Sequence, residues 1–253
     1  MKKRSSPVGE TRRMARPRRI NLSELAYAQL EELIVRCELR PGSLLSIQDL
    51  QDRTGFGRTP MHQAVSLLAQ ETLIRIRPRH GLQIAPVNLM RERTLLELRR
   101  EMERFVIRLA TLRGGAAHRA EAEEIAGELR GLAGVAGAEG CDLDRFNRLD
   151  RRIDHLLLAA AGEPFLESTL RPLHTIFRRT GWIYHRLIRP EEGLQRTLAC
   201  HLAILEAMLA GRVPQALAAC DQTIDFVETM FDVLGPGIDP ALFDAKRPIP
   251  VEA

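Results

Sequence analysis

The first residues whose types and spacing suggest chemistry lie in Gly57-Arg58-Thr59-Pro60-Met61-His62-Gln63. That chemistry is nucleic-acid recognition. An arginine can grip a guanine edge with two hydrogen bonds or clamp a phosphate. Arg58 is placed to do so, and the Thr59 hydroxyl can bond a phosphate oxygen. His62 and Gln63, one turn along a helix, can reach a base edge. A second group is Arg77, Arg79 and His80 around Gly81. Arginines at a hairpin tip suit a minor groove, where the negative potential is strong. A third group is Asp150 and Asp154. Spaced i, i+4 on a helix, they lie about 40° apart around its axis and share a face. His155 lies about 140° from Asp150 and points elsewhere. The bland alternatives are solvated arginines and an acidic pair facing water beside Arg151 and Arg152.

These residues need elements to hold them. Tyr27, Leu30 and Ile34 form one apolar face of a helix that must end before Pro41-Gly42. Leu44-Leu45 can form a short strand. Ser46 is placed to cap a second helix, with Ile47, Leu50 and Phe56 turned inward. The spacing then predicts a third helix with Thr59 as N-cap and Pro60 at its first position. Leu73–Ile76 and Leu82–Ile84 read as two strands, and Gly81 permits the turn between them. Helix, helix, turn, helix, hairpin is a winged helix-turn-helix, expected over 21–87. Helices follow near 88–113, 119–136, 143–162, 164–189, 191–211 and 214–235. Short connections between them imply an antiparallel six-helix bundle over 88–235. The expected fold class is mainly α. A basic flexible tail (1–20), which can lie along DNA phosphate, and an irregular tail (236–253) flank the two domains. Residues 86–90 are the expected hinge.

Composition fits this organisation. Of 253 residues, 45% are hydrophobic and 4% aromatic, which suits helices built on aliphatic cores. Residues 1–89 carry 15 Lys/Arg against 8 Asp/Glu, whereas residues 90–253 carry 22 against 25. A basic front half implies a polyanionic partner for that half only. Cys37, Cys141, Cys200 and Cys220 form no CxxC pair, as expected of buried thiols in a reducing cytoplasm. No apolar run reaches membrane-spanning length.

Two stretches resemble a known family. Leu39, Pro41 and Gly42, then Gly57-Arg58-Thr59-Pro60-Met61-His62-Gln63-Ala64, then a wing ending Arg79-His80-Gly81, resemble the GntR family of bacterial regulators. Relatives commonly carry Ser-Arg-Thr-Pro-Val-Arg-Glu-Ala there. Gly57, His62 and Gln63 therefore depart from the pattern, as does Cys37, where relatives have glycine. The second half resembles the FadR-type sensor, or FCD domain. The matching pieces are Arg99 with Glu103, Asp150 through Gly162, and His201 with Ile204, Ala207, Gly211 and Ala216.

The resemblance implies a homodimer bound to double-stranded DNA, most often as a repressor, and a bundle that binds a small carboxylate effector. It also implies a divalent metal held by Asp-x-x-x-His and two later histidines. Carried over, the metal positions fall on Asp150, Asp154, His201 and Thr223. Two carboxylates, an imidazole and a hydroxyl suit manganese or magnesium better than zinc. A metal-free pocket is the competing expectation. There Asp150, Asp154, His201 and Thr223 meet polar groups of the effector. Arg99, or Arg178 and Arg179, holds its carboxylate, with His174 and His185 nearby. No hydrolase, dinucleotide, zincin or P-loop motif is present, so an enzyme is not expected. A metal-dependent enzyme on the bundle and a nonspecific architectural DNA-binder stay open as alternatives.

Overall fold

A computed structural model describes residues 21–135, 142–187 and 190–237. The expected tails and Cys141 lie wholly or largely outside these residues. The elements run α1 (Leu22–Val35), β1 (Leu44–Leu45), α2 (Ile47–Thr54), α3 (Arg58–Gln70), β2 (Ile74–Arg77), β3 (Gly81–Ile84), α4 (Leu89–Arg113), α5 (Ala116–Val135), α6 (Leu143–Ala161), α7 (Pro164–Leu187), α8 (Pro190–Leu209) and α9 (Val213–Gly237). This is a winged helix-turn-helix followed by a bundle of six helices.

Local chemistry sets the N-terminal elements. Asn21 caps α1 by accepting from the Ser23 N–H. Ser46 and Asp49 form a reciprocal capping box at α2, and Gly55 ends α2 with φ 74°. Cys37 has φ 57°, a left-handed conformation. That explains the glycine found there in the resembling family, since only glycine adopts it without strain. The α3 start differs from the sequence expectation. Gly57 is the N-cap and Arg58 the first helical residue, two residues earlier than Thr59-Pro60 implied. Pro60 still lies in the first turn, where its missing N–H breaks no helical bond.

The wing is a three-stranded antiparallel sheet in the order β1-β3-β2. Leu45 pairs with Leu82, Ile76 with Leu82 from the other side, and Arg77 with Gly81. Gly81 is required here. Its φ is 85°, and a Cβ would come within 2.6 Å of the Leu45 carbonyl oxygen.

Tyr27, Leu30, Ile34, Leu50, Met61, Leu68 and Ile84 form the core of the DNA-binding half. Ile107, Ile125, Leu129, Ile153, Leu198 and Leu205 belong to the larger core of the bundle. Buried residues bridge the halves. Ile176 of α7 joins the first core, and Cys37 and Val87 pack with Ile183, Tyr184 and Phe226. The helices keep close to their expected spans, with two extensions: α5 begins at Ala116 rather than 119, and α9 continues through Gly237, past the 235 expected as its end.

Candidate functional site

At the start of α3, Arg58, Thr59, His62 and Gln63 are all exposed, while Met61, Ala64, Val65 and Leu68 face the core. Gly57 supplies no side-chain cap, so the first backbone N–H groups of α3 face outward without one. Uncapped N–H groups with the positive end of the helix dipole favour an anion. Arg58 Nε lies 3.4 Å from His62 Nε2, which places the two side chains on one ridge. Gln63 is turned differently. Its amide oxygen accepts from the Ser23 hydroxyl, and it borders a groove with Arg151, His155 and Arg171.

The wing tip, Pro78-Arg79-His80, is exposed, and Arg79 itself has φ 65°. Arg77 points back along the wing, donating from Nε (3.0 Å) and Nη2 (2.7 Å) to Gln83 Oε1. Arg79 and His80 are therefore the outermost polar groups of the hairpin.

The second site is a cavity among α4, α6, α7, α8 and α9. Its polar lining includes Arg99, Asp150, Arg178, His185, His201 and Thr223, set against Phe146, Phe177 and Trp182. About 50 Å³ is open to the centres of water-sized molecules. That is room for roughly four such groups, hence a small ligand.

His201 is fixed on both sides. Nδ1 lies 2.8 Å from the Thr197 carbonyl and Nε2 lies 2.9 Å from Asp150 Oδ1. Both nitrogens face acceptors, which favours the protonated ring. Burial opposes that charge, but the hydrogen bond and charge of Asp150 outweigh it and raise the His201 pKa. Asp150 is held below its usual range for the reciprocal reason, against the effect of burial. Asp154 differs. Burial, with Asp150 and Glu103 nearby, pushes it up to about 6, although His174 and Arg178 oppose the rise. His174 sits between Glu103 (3.2 Å) and Asp154 (3.5 Å). His185 lies 3.2 Å from the Thr197 hydroxyl, and burial lowers its pKa to about 4, so it is neutral. His155 points away from Asp150, into the groove beside α1.

The four positions implied for a metal do not fit one as they stand. His201 Nε2 is engaged by Asp150 as it stands. The Thr223 hydroxyl donates to the Ala219 carbonyl. Arg178 stands 3.8 Å from Asp154 and repels a second cation. Among the described residues no three His, Cys, Asp or Glu side chains converge as metal ligands. Chelator treatment should leave the melting temperature unchanged, and added manganese or zinc should not raise it. A metal bound to the folded state would raise it by mass action. A reproducible rise of several degrees that is lost in Asp150→Asn would contradict this fit.

The arginines divide their work. Arg99 donates to Glu103 at 2.6 Å and lies 4.9 Å from the Phe177 ring centre. Arg178 donates to Glu31 of α1 at 2.8 Å. Arg179 is turned away from the cavity, donating to the Ala85 carbonyl at 2.8 Å and meeting Glu92 at 3.4 Å.

Sequence reasoning missed this junction. Glu31, Glu71 and Glu92 are buried acids that face α7. Arg171 holds Glu71, Thr175 and Arg178 hold Glu31, and Arg179 and Thr180 hold Glu92. One signal was available. Glu31 falls four residues after Tyr27, on the apolar face of α1, where an unpartnered acid would not be buried.

A winged helix-turn-helix joined to a helical bundle with a small polar cavity defines a DNA-binding regulator with a separate ligand-sensing domain. Two family models match: the FCD domain over residues 94–226, and the gntR family of bacterial regulatory proteins over residues 22–84. The chain belongs to the GntR family, in the group that carries an FCD domain.

It is 29% identical over 196 residues to an HTH-type transcriptional regulator in an unstable DNA locus of Streptomyces ambofaciens, covering 76% of this chain and 78% of that one. It is 26% identical over 187 residues to the HTH-type transcriptional repressor RspR of Escherichia coli K12, covering 74% and 78%. Among solved structures, E. coli McbR/YncC superposes with a TM-score of 0.69 at 16% identity, over 85% of this chain and 97% of that one. A GntR regulator from Rhodococcus sp. RHA1 gives 0.60 at 18% identity, over 86% and 99%. The two curated relatives and the Rhodococcus protein carry the names of transcriptional regulators, not of enzymes. Among the described residues no helix is long and apolar enough to cross a membrane.

Proposed function

We propose that the protein is a sequence-specific repressor of transcription that acts as a homodimer on double-stranded DNA and is modulated by a small carboxylate. The observation that carries this reading is the exposed, uncapped start of α3, with Arg58, Thr59 and His62 on it, beside a wing tipped by Arg79 and His80. In such folds the third helix enters the major groove N-terminal end first, and the wing reaches an adjacent groove. His62 stands where relatives carry arginine, so Arg58 takes the larger share of base contact.

The cavity supports a small, metal-free anionic ligand. Arg99, Arg178 and His201, whose pKa is raised, stand with Asp150 in its lining. A guanidinium grips a carboxylate with two parallel hydrogen bonds.

The test is fluorescence polarisation with DNA from upstream of the protein's own gene, scored against random DNA at physiological salt. Wild type should prefer the former by 1,000-fold or more, in line with specific binders. Arg58→Ala should weaken promoter binding by roughly 10- to 100-fold, the value of one base-reading arginine. Equal affinity for both DNAs would refute the reading. A loss that is uniform across sequences, with a shallower salt slope, would make Arg58 a phosphate clamp instead.

A further inference from the structure

The guanidinium of Arg178 belongs to two structures at once. It lines the cavity beside Arg99, Asp150 and His201. It also donates from Nη2 to Glu31 Oε1, across the junction with α1. Glu31 is 2% exposed and has two other partners, the Thr175 hydroxyl at 2.5 Å and Arg151 at 3.2 Å. Burial works against its charge, but Arg178 and Arg151 overcome that and hold it below the usual carboxylate range.

Arg178 is itself almost wholly buried, yet its Nε and Nη1 have no hydrogen-bond acceptor among the described residues. Asp154 stands 3.8 Å from Nε, beyond hydrogen-bond reach. Buried charged donors left without acceptors are costly, so an acceptor placed there gains the most.

We propose that a small carboxylate in the cavity is gripped by Arg178 at the expense of the Arg178–Glu31 pair, so that occupancy loosens α1 from α7. This rests on the reading of the cavity as the effector site. Each two-pronged edge of a guanidinium uses one of the two Nη2 N–H groups, so a forked grip leaves the other for Glu31 but makes ligand and Glu31 share one nitrogen and one charge. One cation then faces two carboxylates, with Asp154 close by, in a setting where screening is weak. Glu31 keeps Thr175 and Arg151, so α1 is loosened rather than released. The movement reaches the DNA-reading helix because α1 shares its core with Met61, Ala64 and Leu68 of α3. Coupling of this kind is reciprocal: removing the charge of Glu31 must tighten ligand binding.

The experiment uses the full chain and four probes, acetate, glycolate, pyruvate and malonate, at ionic strength held constant with potassium chloride. Calorimetry compares wild type, Glu31→Gln and Thr175→Val, and hydrogen exchange follows α1 with and without probe. At least one probe should bind wild type, and Glu31→Gln should bind it five- to tenfold more tightly. Thr175→Val removes a different α1–α7 hydrogen bond and should gain nothing. The probe should speed exchange in α1 several-fold in wild type and leave Glu31→Gln unchanged. Equal tightening in both variants would mean a generally looser junction, not a shared cation, and would overturn the proposal. Unchanged affinity in Glu31→Gln would overturn it while leaving the cavity reading intact. No binding of any probe to any of the three proteins would remove that reading and the proposal with it.

Discussion

Arg179→Met should lower the stability of the folded chain by about 3–5 kcal/mol, with a larger loss at pH 8 than at pH 5. Arg179 is 2% exposed and is the charged partner of Glu92, which is 2% exposed as well. Removing one member of a buried pair leaves the other charge uncompensated, which costs about 3–5 kcal/mol. The Ala85 carbonyl also loses its donor. Burial already raises the pKa of Glu92, even with the Arg179 charge and the Thr180 hydroxyl drawing it down. Without Arg179 it rises further. A carboxyl whose folded pKa is raised takes up a proton on folding, so stability falls as pH climbs through the window between its unfolded and folded values. Below that window the variant's Glu92 is neutral and its deficit is smaller. Urea unfolding at the two pH values measures both effects. A loss under about 1 kcal/mol, or an equal loss at both pH values, would mean that this pair does not hold the junction. The variant should also free α4 relative to β3, since Ala85 and Glu92 flank the expected hinge at 86–90.

The second large effect concerns self-association. Phe105→Glu should convert a dimer into a monomer and weaken operator binding at least 100-fold. Leu98, Phe105 and Leu112 are 50%, 43% and 67% exposed and lie seven residues apart on α4. Seven residues are close to two turns, so the three form one stripe about 21 Å long. Charge is divided along the same face, with Glu97 and Glu101 exposed toward the start and Arg108 and Arg113 toward the end. A second copy laid antiparallel pairs Phe105 with itself at a two-fold axis. It brings Leu98 near Leu112 and Glu101 near Arg108. Such an isologous contact is the commonest symmetry of soluble dimers. A buried glutamate at the axis would meet its own copy, and like charges out of water are strongly repelled. A monomer reads one half-site and forfeits the gain from tethering two readers. Analytical ultracentrifugation gives the mass. The charge swap is the sharper check: Glu101→Arg and Arg108→Glu should each weaken the dimer, and the double variant should restore it. A Phe105→Glu protein that stays dimeric and binds DNA as before would place the dimer interface elsewhere.

Most of the DNA-binding half was legible because its signals are local. Ser46 with Asp49, Gly55, Gly81 and the Tyr27-Leu30-Ile34 stripe each act within a few residues, through capping, φ and periodicity. The start of α3 was misplaced by two residues because Thr59-Pro60 makes a good N-terminus, yet Gly57-Arg58 lets the helix begin sooner. In the sensor half, the i, i+4 spacing of Asp150 and Asp154 set both on one inward face and turned His155 away. Helical geometry alone decides that. Which partner each carboxylate takes is another matter. Asp150 meets His201 across two helices, and Asp154 meets His174 and Arg178 from a third.

The sequence by itself determined the order of elements, the two-part architecture and the exposed polar residues at the start of α3 and the wing tip. Those follow from short-range torsion preferences and from the period of apolar residues. Only the tertiary structure decided that His201 sits between Asp150 and the Thr197 carbonyl, that Arg179 serves the junction rather than the cavity, and that Glu31 is held by Arg178. Each of these depends on side chains separated by tens of residues and brought within about 3 Å. At that range burial removes water and lets single charges dominate, and apart from Glu31 on the apolar face of α1 no local pattern records it.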